Sequence, residues 1–128
     1  MVSQPSGALR YQEISVLTAS PLQLTIILHD TAIHSLNQAR MCLQSGDSAT
    51  RTRCVGRALA ALAELQAGLD HEADPSLAAS LDRQYCYMAK RVFEGNLEQK
   101  AAPLAEVMEL LTTLRAGWTD LAARGTHN

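Results

Sequence analysis

A chain of 128 residues is one domain, long enough to bury roughly two thirds of the surface that its unfolded form would expose. Hydrophobic residues at 47% against 19% charged exclude a disordered chain, and aromatics at 4% leave the core to Leu, Ile, Val, Met and Ala, a filling suited to close-packed helices. The net charge of −2 and a pI near 6.0 argue against a nucleic-acid-binding face. No apolar run approaches the roughly 20 residues that a membrane-spanning helix needs, so no membrane insertion is expected.

Residues 1 to 17 read as a flexible N-terminal arm, and residues 18 to 124 as a single helical domain. Met1 to Gly7 lack the basic and apolar regions of a signal peptide. Pro5 and Gly7 keep the start irregular, whereas Tyr11, Ile14, Val16 and Leu17 are more apolar than a solvated tail needs. The arm is either a tail packed permanently on the core or one that lies on an apolar groove and can be displaced from it. Thr18-Ala19-Ser20-Pro21 then announces a helix: Ser20 as N-cap, Pro21 at the first position, where a missing donor costs nothing, and Gln23 completing a capping box.

The first helix is predicted from Pro21 to about Ser45, ended by Gly46. Its apolar residues make two adjacent stripes, Leu24, Leu28, Ala32, Leu36, Ala39 and Leu43 beside Leu22, Ile26, His29 and Ile33. Together they span about 200° of arc, wider than a simple bundle helix needs. That width signals either a central helix with neighbours on both sides or a face kept for the arm or a partner.

The second helix follows Asp47 or Ser48 as cap, with Val55, Leu59, Leu62, Leu65 or Gln66, and Leu69 inward. Ala58, Ala60, Ala61, Ala63 and Ala67 permit close approach. The third is capped by Asp74 with Pro75 first, presents Leu77, Leu81, Tyr85, Met88 and Val92 inward, and is expected to end at Gly95-Asn96. The fourth begins near Ala102-Pro103 and follows Leu104, Val107 or Met108, Leu111, Leu114, Trp118 and Leu121 to Arg124-Gly125. With short polar turns, these elements predict an all-α fold, an antiparallel up-down four-helix bundle with an extended N-terminal arm.

Catalytic chemistry is hard to find. There is no phosphate-cradling glycine motif and no H-E-x-x-H, and His29 and His34, five apart, cannot share a metal. Glu64, Glu106 and Glu109 fall on polar faces. Ser20 lacks a local His or Lys to activate it. Cys42, Cys54 and Cys86 are an odd number without a C-x-x-C pair, set in helices where a thiol acts as a small apolar group, which fits a reduced cytosolic setting. No enzymatic activity, cofactor or metal is expected. A small helical enzyme or cofactor carrier is the outlying alternative, and a metal assay with an absorbance scan would expose it. An apolar surface in excess of what a bundle hides, with an apolar arm beside it, instead suits capture of a partner's amphipathic helix.

The run Tyr11-Gln12-Glu13-Ile14-Ser15-Val16-Leu17-Thr18-Ala19-Ser20-Pro21-Leu22-Gln23-Leu24 resembles the N-terminal signature of the flagellin export chaperone family, FliS. The likeness continues through Ile27-Leu28-His29-Asp30-Thr31-Ala32, Gly46-Asp47, Arg57-Ala58-Leu59, Leu69-Asp70, Tyr85-x-Tyr87-Met88, Arg91, Asn96-Leu97, Glu106-Val107 and Leu114-Arg115-x-x-Trp118. It covers about residues 11 to 121. The resemblance implies a cytoplasmic chaperone for type III export that holds the disordered C-terminal segment of flagellin, prevents premature polymerisation and presents it to the export gate. A paralogous adaptor or co-chaperone for another flagellar export component is the alternative.

The chain departs from the family pattern at His29 (usually Tyr or Phe), Thr31 (Gly), Cys86 (Asp) and the loop Ala73-Asp74-Pro75-Ser76. On this reading Tyr11, Ile14 and Leu17 cover an apolar surface to which Leu22, Ile26, His29 and Ile33 contribute. Of Tyr85 and Tyr87, two apart on a helix, one faces inward and the other outward. Which of them meets a partner is left open.

Overall fold

The computed structural model describes residues 20–125; Tyr11, Ile14 and Leu17, with the rest of the arm, lie outside them. Four helices follow in order: α1 Pro21–Ser45, α2 Ser48–Ala67, α3 Pro75–Glu98 and α4 Ala101–Gly125. Local chemistry sets the first three starts. The Gln23 backbone N–H donates to Ser20 Oγ at 3.2 Å while the Ser20 N–H donates to Gln23 Oε1 at 3.0 Å, a reciprocal cap for α1. Asp47 and Asp74 cap α2 and α3 by accepting from the N–H groups of Thr50 and Leu77. Gly46 closes α1 in the left-handed region at φ 77°, its N–H on the Cys42 carbonyl.

The third helix passes through Gly95 and runs on to Glu98, a turn beyond its expected end, and Gln99 caps it at φ 55°. Gly95 serves packing here and does not terminate the helix. A Cβ on it would lie 3.1 Å from Pro103 Cβ and 3.2 Å from Leu104 Cδ2, so α3 and α4 approach closely at that point. α4 accordingly begins at Ala101, just ahead of the expected Ala102-Pro103.

The helices form a ring in which α1 and α3 each pack against both α2 and α4. Short connections make successive helices antiparallel. Two cross-links give the same sense: Arg51 Nε donates to Asn96 Oδ1 at 3.0 Å, joining the start of α2 to the end of α3. Arg115 late on α4 grips Asp30 early on α1 with both arms of its guanidinium. The fold is the all-α four-helix bundle expected, and the described residues contain no strand.

α1 makes the two broadest helix contacts in the ring, with α2 and with α4. Its wide apolar arc therefore belongs to a central helix with neighbours on both sides. The core joins Ala32, Leu36 and Ala39 of α1 to Val55, Ala58 and Leu62 of α2, to Leu81, Tyr85, Met88 and Val92 of α3 and to Leu104, Val107 and Leu111 of α4. Each fully buried leucine contributes about 1.5–3 kcal/mol relative to exposure. Several inward assignments are corrected. Leu77 is 51% exposed and Leu121 49%, Cys86 is exposed although Cys42 and Cys54 are buried, and Ala60, Ala63 and Ala67 face outward. Leu77 and Leu121 both wall a hollow between α3 and α4 at the end opposite Gly95, whereas Cys86 is exposed midway along α3.

Candidate functional site

Of the residues expected to line a groove on α1, one lies in the core and three are partly covered. His29 is wholly buried, Ile33 packs partly buried against the core, and Leu22 and Ile26 are half-covered near the start of α1. The expected open position of His29 is corrected: it is a core residue. Its Nδ1 lies 2.8 Å from the Thr25 carbonyl oxygen, which can only accept, so Nδ1 carries the proton. Nε2 is then the acceptor, and the Tyr85 hydroxyl donates to it at 3.1 Å across the bundle from α3. Two helices are tied together through a neutral imidazole. The rings meet edge to face, with centroids 5.8 Å apart.

Burial pushes the His29 pKa below its ordinary value, against the Thr25 hydrogen bond and Asp30, which pull it up, and with a smaller push down from Arg115. Burial likewise raises the Tyr85 phenol, and the neighbouring Trp118 indole holds back part of that rise. Trp118 Nε1 itself is sealed from solvent and makes no hydrogen bond of normal geometry.

Tyr85 faces the core and Tyr87, 45% exposed, stands outside on the α4 side. The Tyr87 hydroxyl donates to Glu106 Oε2 at 2.7 Å, and Arg91 Nε donates to Oε1 of the same carboxylate at 2.7 Å. Arg91 also holds Glu94 at 2.8 Å. These bonds keep the Glu106 carboxyl below the usual range, mainly through Arg91 and then Tyr87, and raise the Tyr87 phenol. Glu106 is thus a clasp between α3 and α4, a finer role than a solvated charge.

An apolar furrow lies between α3 and α4. These helices share the narrowest contact in the ring. Beyond the Glu106 clasp they part into two adjoining hollows. One, of about 350 Å³, is walled by Leu77 and Leu81 from α3 and by Leu114, Gly117, Trp118 and Leu121 from α4, with Asp120 and Arg124 paired at its rim. The other, of about 330 Å³, is bounded by Tyr87, Met88, Leu110 and Glu106 together with Ser80, Arg83 and Gln84. Of the partner-binding candidates within the described residues, only Tyr87 lines this furrow. The signal that would have found it is a second stripe on the last helix. Leu110, Leu114 and Leu121 recur at helical spacing beside the core row Leu104, Val107 and Leu111, the same doubling seen on the first helix.

A buried helical core with an apolar furrow between α3 and α4 makes the described residues a four-helix bundle with a grooved face. Among the described residues no group of three His, Cys, Asp or Glu side chains could hold a metal ion, and no helix is long and apolar enough to cross a membrane. The chain belongs to the FliS family: the family described as "Flagellar protein FliS" matches residues 4–125. It is 32% identical over 126 residues to the flagellar secretion chaperone FliS of Salmonella typhimurium, covering 94% of this chain and 93% of that one. It is similarly 31% identical over 117 residues to the flagellar secretion chaperone FliSB of Pseudomonas aeruginosa, with 88% and 93% covered. With the FliS of Bacillus subtilis the identity is 29% over 108 residues, covering 84% and 80%.

Proposed function

We propose that this chain is a cytoplasmic chaperone of flagellar type III export that holds the C-terminal segment of flagellin as an amphipathic helix in the α3–α4 furrow. Holding it prevents premature polymerisation and keeps it ready for the export gate. The observation that carries this reading is the apolar furrow itself, walled by Leu77 and Leu81 of α3 and by Leu114, Trp118 and Leu121 of α4. Its occupant comes from the kinship to flagellar secretion chaperones. A helix suits it better than an extended peptide. The groove walls are helices whose backbone groups are already bonded internally, so an extended strand laid there would leave its own N–H and C=O groups without partners. Disorder in the free cargo suits such a site, because coupled folding buries some 1,000–3,000 Å² while the cost of ordering keeps the complex releasable.

The arm has a place in this scheme. The antiparallel Asp30–Arg115 clasp sets Pro21 at the end of the bundle where Trp118 and Leu121 stand. Tyr11, Ile14 and Leu17 are therefore within reach of the apolar surface at that end, including the half-covered Leu22 and Ile26, and compete there with cargo.

Trp118 is the single tryptophan of the chain and walls the furrow, so its emission reports on this site. Titration with a tryptophan-free peptide of the flagellin C-terminal segment should shift that emission in a saturable way and release heat in step. Heat of binding with an unmoved Trp118 spectrum would place the cargo elsewhere on the bundle. No binding at all would remove flagellin as the client and favour an adaptor for another export component.

A further inference from the structure

We propose that Gly117 is the notch of the furrow, the position that admits a large apolar side chain of the bound cargo helix and so selects which segment fits. This rests on the reading of the α3–α4 furrow as the cargo groove. Gly117 lies in the interior of α4 on the row Leu110, Leu114, Gly117, Leu121, whose members all line the two hollows. Spacings of four, three and four keep such a row on one side of a helix. Every other member of the row is leucine.

Glycine inside a helix is disfavoured relative to alanine by its backbone entropy, and a crowding neighbour is the ordinary packing reason for keeping it. At Gly95 the reason is the Pro103 side chain 3.1 Å from any added Cβ. At Gly117 there is none within the protein: a Cβ there meets no atom within 4 Å, and φ is not positive. The missing side chain instead leaves room in a hollow of about 350 Å³ walled by Leu77, Leu81, Trp118 and Leu121. Apolar walls around an unfilled position complement an apolar side chain. α4 borders the furrow from Glu106 to Arg124, about 27 Å at the helical rise, enough for roughly five turns of a bound amphipathic helix.

Gly56 supplies the control. It too is exposed inside a helix with nothing within 4 Å of an added Cβ, but it lies on α2, away from the furrow. The full chain, with Gly117→Ala, Gly117→Leu and Gly56→Ala variants, is measured for thermal stability and for affinity to the flagellin C-terminal segment by calorimetry. Gly56→Ala and Gly117→Ala should both raise Tm by roughly 3–6 °C, since each gains helix propensity. Only the Gly117 variants should weaken binding, about tenfold for Ala and roughly a hundredfold for Leu, as the notch is filled.

Unchanged affinity in Gly117→Leu would overturn the notch while leaving the groove standing. Equal weakening in Gly56→Ala would also overturn it, tracing the loss to helix stiffening. A wild-type chain that ignores the segment would sink the groove reading and the notch together.

Discussion

His29 folds as a neutral ring: both nitrogens are engaged, no face is wet, and burial dominates its titration. Because its pKa is lowered in the folded chain, the unfolded chain takes up the proton first as pH falls. The stability that His29 contributes is fully present above its ordinary value of 6.5 and is lost as pH drops through it, levelling off below the lowered folded value. Replacing it by Phe should therefore flatten the fall in Tm between about pH 7.5 and about pH 5, measured by circular dichroism. At the upper pH the same variant should cost about 1–3 kcal/mol, because the buried Tyr85 hydroxyl loses its acceptor. An equally steep fall in the variant would mean that the acid sensitivity lies elsewhere. Spacing placed His29 on an apolar stripe. That the stripe faced the core, and that a tyrosine 56 positions away would meet the ring, is a matter of tertiary packing.

At the scale of elements, caps and breaks were legible wherever one residue decides them. Ser20 with Gln23, Asp74 with Pro75, and Gly46 act through bonds within a turn or two of chain, which no distant packing revises. Gly95 misled because glycine has two uses, and only the neighbour across the bundle tells them apart. Gly95→Ala should destabilise the protein by about 1–3 kcal/mol in urea unfolding, since Pro103 and the Lys100 carbonyl leave a methyl little space and neither is a flexible side-chain end. A stabilised variant would show that α3 and α4 can separate at that crossing without cost. The Glu106 clasp was missed for the same reason: Arg91 and Tyr87 sit 15 and 19 positions before it, and only antiparallel packing brings them to one carboxylate.

For the molecule as a whole, the proposed cover by residues 1 to 17 would set how much apolar surface meets water. If residues 1 to 17 cover the bundle at the Trp118 end, their deletion should leave a cooperatively folded helical bundle whose binding of an apolar dye rises severalfold. Unchanged dye binding with unchanged helicity would show that the arm covers nothing. Cargo added to the truncated chain should then bind more tightly than to the full chain, because it no longer displaces a competitor.

The bundle itself was determined by the sequence, because helix periodicity, caps and short turns are local and consistent along the whole chain. Membership of the FliS family was legible there too, in the order and spacing of short motifs. The location of the open surface was decided only in three dimensions. The first and last helices each carry a second apolar stripe beside their core row, and one-dimensional spacing cannot tell which excess is hidden. α1 buries most of its own between α2 and α4, whereas α3 and α4, close at Gly95, border an apolar furrow beyond Glu106.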